Sequence, residues 1–214
     1  MTCRHGVRVM AVQLSEKGKR ASRLKDRQSG SWGTVSAWYF HSVELVFRES
    51  HKTAVESPDG RSRWVYAGLP VLFAGVEAFL IEHQHMMRDN VGDKVIAGVT
   101  DIRAVLAHYP LPDELRLDMV ALVEVRNQIV HPSQVPFGAA EWPDSIRRLR
   151  DRKVLDGKMP QSGTEALALL AKHKLFEWAV ERCAETLDIV ADSDQRSLIF
   201  RGSARNLWRV LARP

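Results

Sequence analysis

The stretch VEVRNQIVHP, residues 123–132, sets a guanidinium, a carboxamide and an imidazole on one otherwise apolar helix. Arg126 brings a permanent, forked cation that matches phosphate or carboxylate. His131 brings the side chain whose proton moves near neutral pH. Asn127 can orient a ring or hydrogen-bond an anion. Such a set can hold an anion, move a proton and stabilise charge as it develops. The chain has no GxGxxG, GxxxxGK[ST] or GxSxG stretch and no Cys/His ligand spacing, so phosphate-cradle, serine-nucleophile and structural-zinc chemistry have no sequence support.

On a helical wheel at about 100° per residue, Ile129, Leu122, Leu115, Met119, Val130 and Val123 fill an arc of about 120°. Arg126 lies in the middle of that arc, between Leu115 and Met119. The adjoining sector holds Arg116, Asn127, His131 and Glu124, with Val120 among them. A guanidinium among aliphatic side chains needs a carboxylate, a phosphate or a wet interface, because stranding it costs several kcal/mol. Glu77, in LFAGVEAFLIEH, has the mirror-image problem beside Phe73, Ala74, Leu80 and Ile81. The economical expectation is that Glu77 and Arg126 meet. Arg126 and His131 point roughly 140° apart, so one helix does not aim both at one atom. A two-fold dimer packing this helix against its own copy would bring two Arg/His sets to one cleft.

The elements that must position these groups read as helices. A first begins near Ser31 in SWGTVSAWYFHSVELVFRES, and SPDGRS (57–62) is a turn. A second runs from about Arg63 to Arg88 and breaks at DNVGD. KVIAGVTDIRAVLAHY is a third, closed by Pro110 and Pro112. Asp113 is expected to cap a fourth, ELRLDMVALVEVRNQIVH, which stops before Pro132. Residues 132–162, with Pro132, Pro136, Pro143 and Pro160 and the basic patch RRLRDRK (147–153), read as looser. One long helix follows Thr164, and a last spans about Gln195 to Arg213. The expected class is all-α: an antiparallel helical bundle over 31–192, preceded by an arm (1–30) and followed by a C-terminal helix (193–214) that makes a hairpin with the one before it.

At 214 residues, 45% hydrophobic and 27% charged, the chain can build a core. Residues 1–30 carry eight Lys/Arg against Glu16 and Asp26, a net +6, while the whole chain is +5, so the remainder sums to −1. The basicity belongs to the arm, which reads either as a nucleic-acid grip or as a solvated tail. With two cysteines, no disulfide framework and no apolar leader, the expected setting is cytoplasmic. Residues 64–81 approach the length of a membrane span, but Pro70, Glu77 and the lack of a companion span favour a buried central helix and no membrane association.

Arg126-Asn127-x-x-x-His131 near the end of an apolar helix resembles the R-x4-6-H motif of HEPN (higher eukaryotes and prokaryotes nucleotide-binding) domains. The form with Asn after Arg and Pro after His is similar to bacterial members, and LFAGVEAFLIEH resembles an earlier helix of that family. The likeness extends over about residues 33–190, with six diagnostic residues. It implies a metal-independent endoribonuclease of toxin or antiviral type, acting as a homodimer on RNA without a cofactor, and open to an antitoxin or regulatory partner. By position it makes Arg126, Asn127 and His131 the catalytic set and Glu77 a supporting residue. Ser133 stands where a related form of the motif has tyrosine, which argues against control by tyrosine modification. Arg147, Arg148, Arg150 and Arg152 are candidates for contacting RNA. The alternative is a non-catalytic helical module for dimerisation or for binding nucleotide or RNA.

Other features read blandly. His83 and His85 point about 200° apart on a helix, cannot share a metal ion, and are expected at the surface. His173 in AKHKL reads as solvated. Trp38, Tyr39 and Phe40 read as core. Glu177, Glu181, Glu185, Asp188 and Asp192, and likewise Arg201, Arg205, Arg209 and Arg213, form helix-face stripes that either line an RNA groove or meet each other and solvent.

Overall fold

The computed structural model describes residues 34–91, 102–131, 144–157, 160, 162–193 and 198–212. The basic arm, the start at Ser31, Pro132, Ser133 and Arg213, with the side chains of 85–91 and 198–199, lie outside the described residues. Every regular element among the described residues is a helix: α1 (Val35–Glu56), α2 (Trp64–Val91), α3 (Ile102–Leu106), α4 (Asp113–Val130), α5 (Asp144–Asp151), α6 (Gly163–Leu170), α7 (His173–Asp192) and α8 (Leu198–Leu211).

The most apolar stretch becomes the centre. Residues Trp64–Gln84 of α2 are long and apolar enough to cross a membrane by length and composition. Here they pack against α1, α4, α7 and α8, burying Val65, Leu69, Leu72, Phe73, Val76 and Phe79. Each such side chain contributes about 1.5–3 kcal/mol when fully buried. Two glycines let the neighbours come close. A Cβ at Gly68 would stand 2.3 Å from Phe176 of α7, and one at Gly75 would stand 2.6 Å from Phe40 of α1.

Helix α1 is capped by Thr34, whose Oγ1 accepts from the Ala37 N–H at 3.3 Å. Ser36 ties this end to α2, its hydroxyl donating to Glu82 at 2.7 Å. Phe40, Val43 and Phe47 recur at three and four residues and face the core. The expectation that Trp38 and Tyr39 join them fails. Successive residues turn by about 100°, so three in a row cannot share a face, and Trp38 is 71% exposed.

Other expectations are corrected too. Pro112, not Asp113, takes the N-cap position of α4 and offers no side-chain bond; Asp113 and Glu114 sit in the first turn, where carboxylates favour the helix dipole. The second helix continues through Val91. The basic patch is largely helical, as α5. The long helix after Thr164 is two. Its break at Ala171 and Lys172 is held by the turn before α2: the Ser62 N–H donates to the Ala171 carbonyl at 2.8 Å, and the His173 N–H to Gly60 at 3.0 Å. Those bonds replace the intrahelical ones that continuity would have made. The chain folds back after α7 and α8 packs on it, with Arg201 Nε on Asp192 at 2.8 Å and Trp208 Nε1 on Asp188 at 2.5 Å.

Two of the three histidines expected in water, His83 and His173, are buried, and the side chain of His85 lies outside the described residues. His83 Nδ1 lies 2.9 Å from the Tyr109 hydroxyl, and burial pushes that phenol up to about 12. His173 Nδ1 lies 2.8 Å from Ser50 Oγ, its ring 4.8 Å from Phe47 and 5.3 Å from His51. Burial, with a smaller contribution from His51, pushes His173 down to about 4. A histidine that is harder to protonate when folded makes the unfolded chain the better proton binder below its ordinary value. Stability is therefore full above about pH 6.5 and falls by up to about 1.4 kcal/mol per pH unit down to about pH 4. Urea midpoints measured across that window should slope for the wild type and flatten in His173→Gln. Equal slopes would assign the loss to other groups.

Candidate functional site

Helices α2 and α4 meet at the pair the sequence anticipates. Arg126 Nη2 donates to Glu77 Oε1, and the Arg126 guanidinium carbon lies 5.9 Å from the centre of the Phe73 ring. The pair is not sealed: the side chains are 23% and 37% exposed. Arg126 Nε is buried and has no hydrogen-bond acceptor among the described residues. The cation is thus fixed by one carboxylate oxygen and one ring face, with donors left over.

Beyond it α4 ends. Val130 is its last residue, and His131 follows with φ −127° and ψ 67°, outside helical backbone space. The His131 N–H still donates to the Asn127 carbonyl at 2.8 Å. That bond places Asn127 and His131 one turn apart. The imidazole itself is exposed, while Asn127 is half-buried. No hydrogen bond or ion pair joins Arg126 to His131 among the described residues, as their angular separation on the helix requires. The fold therefore unites Arg126 with Glu77, and sets His131 at the surface on the next turn.

The basic patch is engaged elsewhere. Asp118, 1% exposed, is a hub on α4. Its Oδ1 accepts from Arg148 Nε at 2.5 Å and from Arg152 Nε at 3.2 Å. Glu114 Oε2 accepts from the same two arginines at 2.9 and 2.5 Å. Burial opposes the Arg148 charge, yet the bonds to Glu114 and Asp118 hold its guanidinium above the ordinary value. Arg147 pairs with Asp144 on the exposed side of α5. Arg148 and Arg152 thus clamp α5 to α4, a use the basic run alone did not reveal.

Clefts on the described surface lie elsewhere. One, of about 460 Å³, lies along α6 between Arg61, Asp156 and Lys172. Another, of about 590 Å³, lies beside α4 and α5 between Leu117, Asp144 and Arg147. Neither is lined by Arg126 or His131. Among the described residues no three His, Cys, Asp or Glu side chains stand close enough together to hold a metal ion. Set against known protein families, curated proteins and solved structures, the chain matches none.

Proposed function

We propose that the chain is a metal-independent endoribonuclease with a HEPN-like bundle, working as a homodimer through the end of α4. The observation that carries this reading is the end of α4 itself. A guanidinium reaches the surface there with donors that have no acceptor among the described residues, and an exposed imidazole follows it five residues on. RNA supplies its own nucleophile, the 2′-hydroxyl, so the protein has to add a base, an acid and a counter-charge. His131 takes the 2′-OH proton as the 2′-oxygen attacks phosphorus. The bond from phosphorus to the 5′-oxygen breaks, and the second copy's histidine returns a proton to the leaving oxygen. Arg126 stabilises the pentavalent phosphorane with its fixed charge. Asn127 orients the imidazole or bonds the phosphate, and Glu77 holds Arg126 in place in the free protein. Arg147 and Arg150 remain candidates for guiding the RNA backbone. Control by an antitoxin-like partner belongs to the same proposal.

A second reading draws on the ion pair itself: Arg126 and Glu77 lock α2 to α4, and the module binds without cutting. Purified full-length protein incubated with mixed RNA in excess EDTA separates the two. Cleavage leaving 2′,3′-cyclic phosphate and 5′-hydroxyl ends, with DNA untouched, is the expected result. RNA left intact at stoichiometric protein would give the reading over to the lock.

A further inference from the structure

Arg126 offers five N–H donors in a planar fork, yet among the described residues a single Glu77 oxygen accepts from it and Nε has no acceptor. Phe73 holds the guanidinium carbon at 5.9 Å from its ring centre. The cation is therefore placed but under-bonded. The Glu77 carboxylate is 37% exposed, so it can turn into water without leaving a buried charge behind. A phosphate presents several oxygens to the same fork and can accept from two donors at once, which a singly bonded carboxylate does not do.

We propose that Glu77 is a gate on an oxyanion site at Arg126: its carboxylate occupies the place of a phosphate and must swing away before one binds. The proposal rests on the reading of Arg126 as the phosphate-stabilising group and adds its regulation. Two anions cannot share the one guanidinium cheaply, because like charges at contact distance repel. The free protein therefore holds Arg126 off stray phosphate, while a polyanionic strand, gripped at several points, displaces the carboxylate.

Inorganic phosphate is the probe, titrated into full-length wild type, Glu77→Gln and Glu77→Asp. Glutamine keeps an oxygen for Arg126 but removes the competing charge. Its variant should bind phosphate roughly five- to tenfold more tightly, which is about 1–1.4 kcal/mol. Phenylglyoxal should modify Arg126 faster in that variant, and phosphate should protect it. Introducing Arg126→Ala into the Glu77→Gln background should abolish the gain. Should Glu77→Gln fail to fold, Glu77→Asp carries the comparison, since a carboxylate shortened by one methylene should also bind phosphate more tightly than the wild type does. Equal affinities and equal modification rates across the series would overturn the gate, as would a gain that survives Arg126→Ala. The assay involves no RNA. A gate that responds to phosphate in a protein that cuts no RNA sinks the ribonuclease reading alone. Cleavage without any phosphate effect of Glu77 sinks the gate alone.

Discussion

His131→Ala is expected to lower single-turnover RNA cleavage by about 10²- to 10⁴-fold, the usual contribution of a positioned acid or base. Its stability should change by less than about 0.5 kcal/mol. The two halves of that expectation come from different parts of one residue. The backbone N–H of His131 makes the C-terminal bond of α4, to Asn127, and alanine keeps it. The imidazole is exposed and forms no hydrogen bond or ion pair among the described residues, so little folding energy depends on it. A residue whose loss silences chemistry while leaving unfolding untouched is acting on a substrate. Cleavage at the wild-type rate would remove His131 from the mechanism. A fall in unfolding free energy above about 2 kcal/mol would mark it as a structural cap instead.

What the sequence disclosed follows from how strongly each signal is tied to physics. A charge on an apolar arc has few tolerable fates, so the sequence alone pairs Arg126 with Glu77 across forty-nine residues. The helical class followed from periodicity for the same reason. Asp118 was open to that argument and escaped it. It stands beside Leu122 and Val125 on the buried side of α4, and its partners come from a basic run whose obvious reading was solvent or RNA. His83 and His173 escaped differently. A histidine in a polar-looking pentapeptide carries no local sign of burial, and the residues that enclose His173, Ser50 and Phe47, lie more than a hundred positions away. The break between α6 and α7 was equally unreadable, since the bonds that hold it come from the turn at Gly60 and Ser62. Trp38 departs from expectation for a simpler reason: helical geometry splits an aromatic cluster that looks like a unit in the sequence.

Asp118 supplies the largest expected effect on stability. Asp118→Ala should lower the unfolding free energy by about 3–5 kcal/mol, the loss typical when one partner of a buried ionic group is removed. Its side chain is 2% exposed, and two guanidiniums converge on one of its oxygens. Glu114, which bridges the same arginines, is 70% exposed, and Glu114→Ala should cost about 1 kcal/mol or less because solvent screens it. Urea unfolding at constant m-value distinguishes the two. Equal costs would show that the exposed carboxylate, not the buried one, anchors α5. The size of the Asp118 effect does not measure what the cluster contributes in net terms, because most of it is the penalty of stranding Arg148 and Arg152. Replacing Asp118, Arg148 and Arg152 together by Leu, Met and Met tests that distinction. If desolvation offsets most of the attraction, the triple variant should recover much of the stability that Asp118→Ala loses. A triple variant no more stable than Asp118→Ala would mean that the ionic cluster itself holds α5 in place.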